Sequence, residues 1–482
     1  MKGTLRKLFS VLLLCSVLCT GCGFLAGPVN SITSKLKAST EPESVEAFRA
    51  DTKGSSDGEK TAYLMQDLNE VTEQCLELTD PVNSCGYPLD ESFYLWFYGE
   101  YGEGIYRKLY ESMKEGTDSD IYRKLTGNTL HVLWMYYCSD FGIHREQLQN
   151  VYVKPSENST DIVLDFAGDI NFDENWPSVQ YLTEQGLDLT DCLTGGLSEE
   201  MSGADIMMLN NECTYGTGGT PIAGKAYTFQ GNPERAALLK QAGVDIVSLA
   251  NNHVYDYQAE GLLTTMKTLK ENKIPYVGAG ENLDEAKKII YFIINGKKIA
   301  ITSATQIERS YNYTKEATET SAGVLKTLRP DKYVEVIREA SRYADYVVAF
   351  VHWGTEGSIH YEGDQVYLAK RFVEAGADVI IGGHTHCLQG VTFYEDVPVF
   401  YSLGNFWFDW EEPHSSETGL AQVIIHEDGS SEYRFLPCYY EEYKTRLLTD
   451  EQEKINAYRY LEGISDQIRI DEEGYITDIK DE

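Results

Sequence analysis

Residues 378–390 read DVIIGGHTHCLQG: a short β-branched run, two glycines, then two histidines one residue apart. An apolar run of that length bounded by glycine reads as a strand buried on both faces of a parallel sheet. Ligand-type residues at its carboxyl end stand where open α/β sheets place their sites. The same grammar recurs upstream. IVLDFAGDIN at 162–171 ends in Asp169 and Asn171, DIMMLNNE at 205–212 in Glu212, DIVSLANNH at 245–253 in Asn252 and His253, and YVVAFVHWG at 346–354 in His352. Five runs thus present a carboxylate, an amide or an imidazole at the same end, and four of the nine histidines of the chain lie there. A lone Asp or Asn after a strand is ordinarily a turn former, and a lone His a satisfied side chain. The repetition is what argues for a shared site.

Amphipathic stretches at 233–241, 259–272, 332–340 and 365–375 separate these runs, so the expected class is α/β. A tight hairpin is expected at Asn295-Gly296, and strands at 399–403, 420–425 and 432–436 complete the sheets. From 61 to 155 apolar residues such as Leu64, Leu68, Val71, Cys75 and Leu78 fall at helical spacing, which predicts a small helical N-terminal region. A chain of 482 residues exceeds one compact core. The expected division is therefore that helical region, an α/β domain over 160–440 and an acidic C-terminal extension over 441–482.

Lys2, Arg6 and Lys7 precede a largely apolar run from Leu8 to Leu18. That run falls short of the roughly 20 residues a membrane-spanning helix needs, so a signal peptide over 1–21 is expected. Cys19-Thr20-Gly21-Cys22 is similar to a bacterial lipobox, with Cys22 as the lipidated mature N-terminus. Residues 22–60 are poor in large apolar side chains and suit a tether. These readings place the protein outside the cytoplasm, held to the membrane through its N-terminal lipid. The balance of 41 basic against 76 acidic residues leaves −35, which repels a nucleic-acid backbone and excludes that class of partner. Seven cysteines follow Cys22, an odd number without CxxC spacing, so scattered buried thiols are expected rather than a disulfide framework.

Carboxylate, amide oxygen and imidazole suit Mn, Fe, Zn or Mg and need no thiolate. Two divalent ions are expected, and a carboxylate bridging them needs the short, rigid presentation that a strand end followed by glycine or asparagine gives. Cys387 adjoins His386 but is set aside, because an adjacent side chain points elsewhere. In a locally extended segment His384 and His386 face one side, so one turn serves both ions.

The motifs AGDI at 167–170, NNE at 210–212, SLANNHVYD at 248–256, HWGTE at 352–356, GGHTHCLQG at 382–390 and YSLGNFWFD at 401–409 resemble those of the bacterial capsule-synthesis CapA family. These poly-γ-glutamate synthesis proteins have a fold like that of calcineurin-type metallophosphoesterases, and the resemblance runs from about Ile162 to Asp409. It implies an α/β/β/α sandwich. It also implies that Asp169 and His386 hold the first ion, that Glu212 bridges, and that Asn252, His352 and His384 hold the second. His253 would stand free of the metals near a leaving group, oriented by Asp256, a residue that reads equally well as a helix N-terminal acid. Asn171 takes the place of the histidine in the phosphoesterase D-x-H pattern, which weakens the first ion's shell. Thr385 stands where CapA proteins commonly carry proline. Glu356 and Asp409 are flanking candidates, and Trp353, Phe406 and Trp407 either wall the cleft or pack in the core. Three functions follow as expectations: a metal-dependent phosphoesterase, a surface component assisting synthesis or export of a capsule polymer without turnover, and a scaffold on a degenerate fold. With no basic run in the sequence, direct binding of an acidic polymer is the weaker form of the second.

Overall fold

The computed structural model describes residues 150–154, 160–295, 297–409 and 413–480, together with the Ile121–Thr126 helix and single helical residues between 93 and 133. The signal peptide, Cys22 and the tether lie outside the described residues, as do Cys75, Cys85 and Cys138. The chain divides into two compact units, the second comprising Asn150–Glu482 with Val82–Gly86. Within the first, Phe93, Tyr94, Phe97, Leu109 and Leu133 are buried helical residues, and Phe97 meets Tyr122 edge-on with ring centroids 5.9 Å apart.

The second unit is layered by strand alternation. Leu164 and Phe166 of the Ile162–Ile170 strand join Met208, Ile301, Val348, Phe350 and Ile381 in a core between two sheets. Alternate residues turn outward: Met207, Leu209 and Val247 pack with Leu238, Leu239, Leu262 and Met266 of the Ala236–Gln241 and Gln258–Glu271 helices. On the far side Val347, Ala349 and Val351 pack with Tyr333, Ile337, Leu368 and Phe372 of the Asp331–Tyr343 and Gly363–Val373 helices. Each fully buried aliphatic or aromatic side chain contributes about 1.5–3 kcal/mol. The layers run helix, sheet, sheet, helix, the α/β/β/α sandwich that the resemblance implies.

A nine-stranded sheet carries Ile162–Ile170 parallel to Ile206–Asn211, which is parallel in turn to Ile246–Ser248. A seven-stranded sheet carries Lys297–Thr305, Tyr346–His352 and Val379–Gly383, also parallel. Several strands run further than their apolar pattern. The run at 162–167 continues to Ile170, and that at 205–209 to Asn211. Polar residues remain in the ladder there because they are paired, as where Asn210 Nδ2 donates to Asp169 Oδ1 at 2.8 Å. Asn295 takes the positive φ, 49°, that a tight hairpin requires.

Two segments sit elsewhere than their composition implies. Val151–Val153, at the end of the stretch read as helical, pairs parallel with Ile290–Ile294 at a sheet edge. In the acidic segment from 441 onward, Lys444–Leu447 pairs with Ser431–Glu441, and the Glu451–Ile464 helix sends Tyr458 and Leu461 into the core between the sheets. Only those two residues of the helix are buried, so the charges around them masked an amphipathic pattern. No helix among the described residues is long and apolar enough to cross a membrane.

Asp165 lies buried in the Ile162–Ile170 strand. Its Oδ1 accepts from Gln422 Nε2 at 3.0 Å, while Oδ2 has no hydrogen-bond partner among the described residues. Burial pushes its carboxyl up to about 8. The folded state therefore holds the proton more tightly than the unfolded chain. The resulting stabilisation is fully present below the ordinary carboxylate range and is lost as pH rises through about 8. Asp165→Asn should leave the melting temperature at pH ~4 unchanged and raise it by several degrees at pH ~8, read by calorimetry across that range. A constant offset would contradict the assignment.

Candidate metal centre

The carboxyl ends of the parallel strands from both sheets converge on one rim. Register places Asn210 and Asn405 on either side of Asp169. Asp169 Oδ1 accepts from Asn210 Nδ2, and Oδ2 accepts from the main-chain N–H of His384 at 3.1 Å. Glycine permits these approaches. A Cβ on Gly168 would lie 1.9 Å from Gly404 O, the oxygen that accepts from Asp169 N at 3.0 Å. A Cβ on Gly383 would lie 2.8 Å from Asp169 Oδ1.

Two groups of donors form here and share Glu212: Glu212, His352 and His384 in one, Asp169, Glu212 and His386 in the other. Within each, the ligand atoms lie within 4.8 Å of one another and every residue is buried. Asn252 Oδ1 joins the first group, 2.7 Å from His352 Nε2. His384 Nδ1 at 3.1 Å and Glu212 Oε1 at 3.4 Å surround the same nitrogen. Donors sharing one ion through bonds of about 2.1 Å stand about 3 Å apart, so the spacing fits a cation. Glu212 Oε1 is buried with no hydrogen-bond partner among the described residues, an arrangement that costs about 1–3 kcal/mol unless an ion or a water takes the lone pair. Carboxylate, amide oxygen and imidazole together suit a divalent metal.

Burial sets the electrostatics. Desolvation, with Glu212 beside it, pushes Asp169 up to about 7, and desolvation holds Glu212 well above the usual carboxylate range. The same burial lowers His352 and His253 to about 4, His384 well below its ordinary value, and His386 in the same direction. Without a cation, burial thus favours protons on the acids over protons on the imidazoles. Binding a divalent ion must displace the former.

The remaining candidates fall in distinct places. Asn171 Oδ1, its one ligating atom, already accepts from Asp173 N at 2.9 Å, and its Nδ2 is a donor left without a partner among the described residues. The turn carrying His384 and His386 is not extended: their φ values are 99° and 56°, and this left-handed backbone sends one imidazole into each donor group. Asp256 lies before the Gln258–Glu271 helix, not within it, and its Oδ2 is 2.7 Å from His253 Nδ1. Glu356 is half-exposed, 4.0 Å from His384 Nε2. Asp409 is partly buried, its charge acting on the Tyr440 hydroxyl. Trp353, Phe406 and Trp407 are fully buried in the cores rather than at a cleft. Instead Phe229 stacks on His253 at 4.2 Å, and Phe408 lies 4.7 Å from His386. Cys387 Sγ is directed at Pro413 O, 3.7 Å away. Cys192, Cys213 and Cys438 are free, buried thiols, and Cys387 is buried as well.

Four supporting residues escaped the sequence reading. Asn210 and Asn405 stand inside the motifs quoted above without a role assigned to them; Asn405 Oδ1 lies 2.7 Å from His386 Nδ1 and fixes that ring. Asn251 donates to Asn210 Oδ1 at 2.9 Å and accepts from His253 N at 3.0 Å. Lys225 comes from a loop without apolar pattern, and its ammonium reaches Asp256 Oδ1 at 2.6 Å.

By its layers the protein is an α/β/β/α sandwich, and at its strand ends two carboxylate–histidine groups that share one glutamate could hold metal. More particularly, the chain belongs to the family of bacterial capsule synthesis proteins, PGA_cap, whose model matches residues 163–410. It is 35% identical over 243 residues to the capsule biosynthesis protein CapA of Bacillus anthracis, a match covering 50% of this chain and 58% of that protein. It is 34% identical over 216 residues to the PGA biosynthesis protein CapA of Bacillus subtilis, covering 45% and 56%. The chain thus spans less than two thirds of the length of these relatives. A crystal structure of a 5'-nucleotidase from Candida albicans aligns over 57% of this chain and 52% of its own with a TM-score of 0.31 and 13% identity, too slight a likeness to add to the layering seen directly.

Because Asp169 and Glu212 hold protons that an ion must displace while the histidines do not, manganese affinity should rise with pH. Isothermal titration is expected to show the dissociation constant falling at least about tenfold between pH ~6 and ~7.5, with proton release into the buffer. A pH-independent constant would remove the two carboxyls from the ligand set.

Proposed function

We propose that this protein is a surface-anchored, metal-dependent phosphoester hydrolase that serves the synthesis of a capsule polymer of the poly-γ-glutamate kind. The observation that carries the reading is the sharing of Glu212 by two buried donor groups with the His253–Asp256 pair beside them. Two divalent ions held by Asp169, Glu212, His386, Asn252, His352 and His384 would supply Lewis acidity for a water nucleophile and neutralise phosphoryl charge. Asp256 holds His253 Nδ1, which leaves Nε2 as the nitrogen that would take a proton from solvent and pass it to the departing oxygen, while the proton of the attacking water leaves to solvent. The names of the relatives support the biological setting, capsule and PGA biosynthesis.

The protein loaded with manganese should hydrolyse bis(p-nitrophenyl) phosphate, and His253→Ala should lower kcat by roughly 10²–10⁴ with metal content retained. His384→Ala should lose metal as well. The committed Oδ1 of Asn171 favours a second reading, a component holding a single ion without turnover. One ion per chain by elemental analysis, together with hydrolysis no faster than that of the His253→Ala protein, would establish it over the first.

Anchoring through Cys22 belongs to the same proposal and follows from the lipobox-like CTGC at 19–22. Cys22→Ser should move the protein from the membrane fraction to the soluble fraction on cell fractionation. Unchanged partition would refute the lipid anchor.

A further inference from the structure

The His253–Asp256 pair is held by a third residue. Lys225 Nζ donates to Asp256 Oδ1 at 2.6 Å and to the main-chain oxygen of Asn252 at 2.5 Å, and lies 3.4 Å from His253 Nδ1. One ammonium thus touches the acid that orients His253, the backbone of Asn252, whose amide joins the donor group of Glu212, His352 and His384, and the edge of the imidazole itself. The Lys225 side chain is 10% exposed and that of Asp256 is 0% exposed, so the pair is formed largely away from solvent, where removing one partner is costly. Glu308, 3.8 Å from Nζ, is the next carboxylate.

Asp256 is a hub. Its Oδ2 accepts from Phe229 N at 2.7 Å and faces His253 Nδ1, and its main-chain oxygen accepts from Ile222 N at 2.7 Å. Lys225, Ile222 and Phe229 all come from the connection between the Thr214–Tyr215 and Gln230–Gly231 strands. The connection is stitched to the proton-carrying pair by its main chain, by its one cation, Lys225, and by the Phe229 ring stacked on His253. With Oδ1 taken by Lys225, the carboxylate presents Oδ2 to the imidazole as a pure acceptor. Nδ1 then carries the proton, and Nε2 is the exchangeable nitrogen. Were the lysine merely a loop anchor, it would need a partner but not this one.

We propose that Lys225 is a positioning residue that fixes the rotamer of Asp256, and through it the tautomer of His253, in register with Asn252. This rests on the hydrolytic reading above. The loss of Lys225 frees Oδ1 and leaves Asn252 O with Thr314 Oγ1, 2.8 Å away, as its remaining side-chain donor among the described residues.

The experiment compares Lys225→Met and Lys225→Arg with the wild-type full chain loaded with manganese, using phosphate diesters of nitrophenol and of unsubstituted phenol. Proton donation matters more for the poorer leaving group. Lys225→Met should therefore lose at least about 10-fold more kcat on the phenyl ester than on the nitrophenyl ester, part of the roughly 10²–10⁴ that proton transfer contributes. Lys225→Arg should recover most of the difference. In parallel, nitrogen NMR of histidine-labelled, metal-free protein should show His253 as the single Nδ1–H tautomer in the wild type and a mixture in Lys225→Met. Equal losses on both esters with unchanged His253 resonances would overturn the proposal and leave a loop anchor. Lys225→Gln serves as a second neutral variant should the methionine protein fail to fold. If the wild type hydrolyses neither ester, the hydrolytic reading fails by itself, and the His253 resonances alone decide the role of Lys225.

Discussion

Asp169 and Glu212 share a space from which water is excluded, and two carboxyl groups cannot both stay ionised there without a cation. The rim is built around that constraint. Asn210 lends a donor to Asp169, His384 lends its backbone N–H, and the surrounding imidazoles are held neutral by the same burial. Left-handed backbone at His384 and His386 costs of order 1–3 kcal/mol at each residue, and it persists because the glycines and strands on either side leave the turn no other course.

Neither sheet owns a complete donor group. Asp169, Glu212 and Asn252 come from the nine-stranded sheet, whereas His352, His384 and His386 come from the seven-stranded one. The spacing of the donors within each group is therefore set by the thickness of the apolar core between the sheets, to which Phe166, Met208, Val348, Phe350 and Ile381 contribute. A cavity in that core would be felt at the rim.

Much of this was readable from residue order. Strands buried on both faces announce themselves as β-branched runs, and a polar residue at the end of such a run needs a reason to be there. The converging residues are largely those whose type and position broke the apolar pattern. What escaped reading was polar and local. Asn210 and Asn405 differ from ordinary loop asparagines only in the side chain each one meets, and that depends on register between strands far apart in the chain. Lys225 has no periodicity to betray it. The turn at His384 was misjudged as extended because alternation says nothing about the sign of φ. The Glu451–Ile464 helix was hidden because two buried side chains, Tyr458 and Leu461, suffice to dock it beneath a coat of charge.

The strand that carries Asp169 is flanked on one side by Ile206–Asn211 and on the other by Glu417–Ile425, so that Asp165 meets Gln422 across 257 residues of chain. Pairings that distant close slowly, and they cannot begin until the later partner exists. The middle of the nine-stranded sheet keeps an open edge throughout synthesis of the intervening chain, and the core between the sheets waits further still for Ile470 and Ile476. The pocket at the rim is thus among the last features to form. Any ion that the donor groups hold would therefore bind a chain whose sheets are already complete.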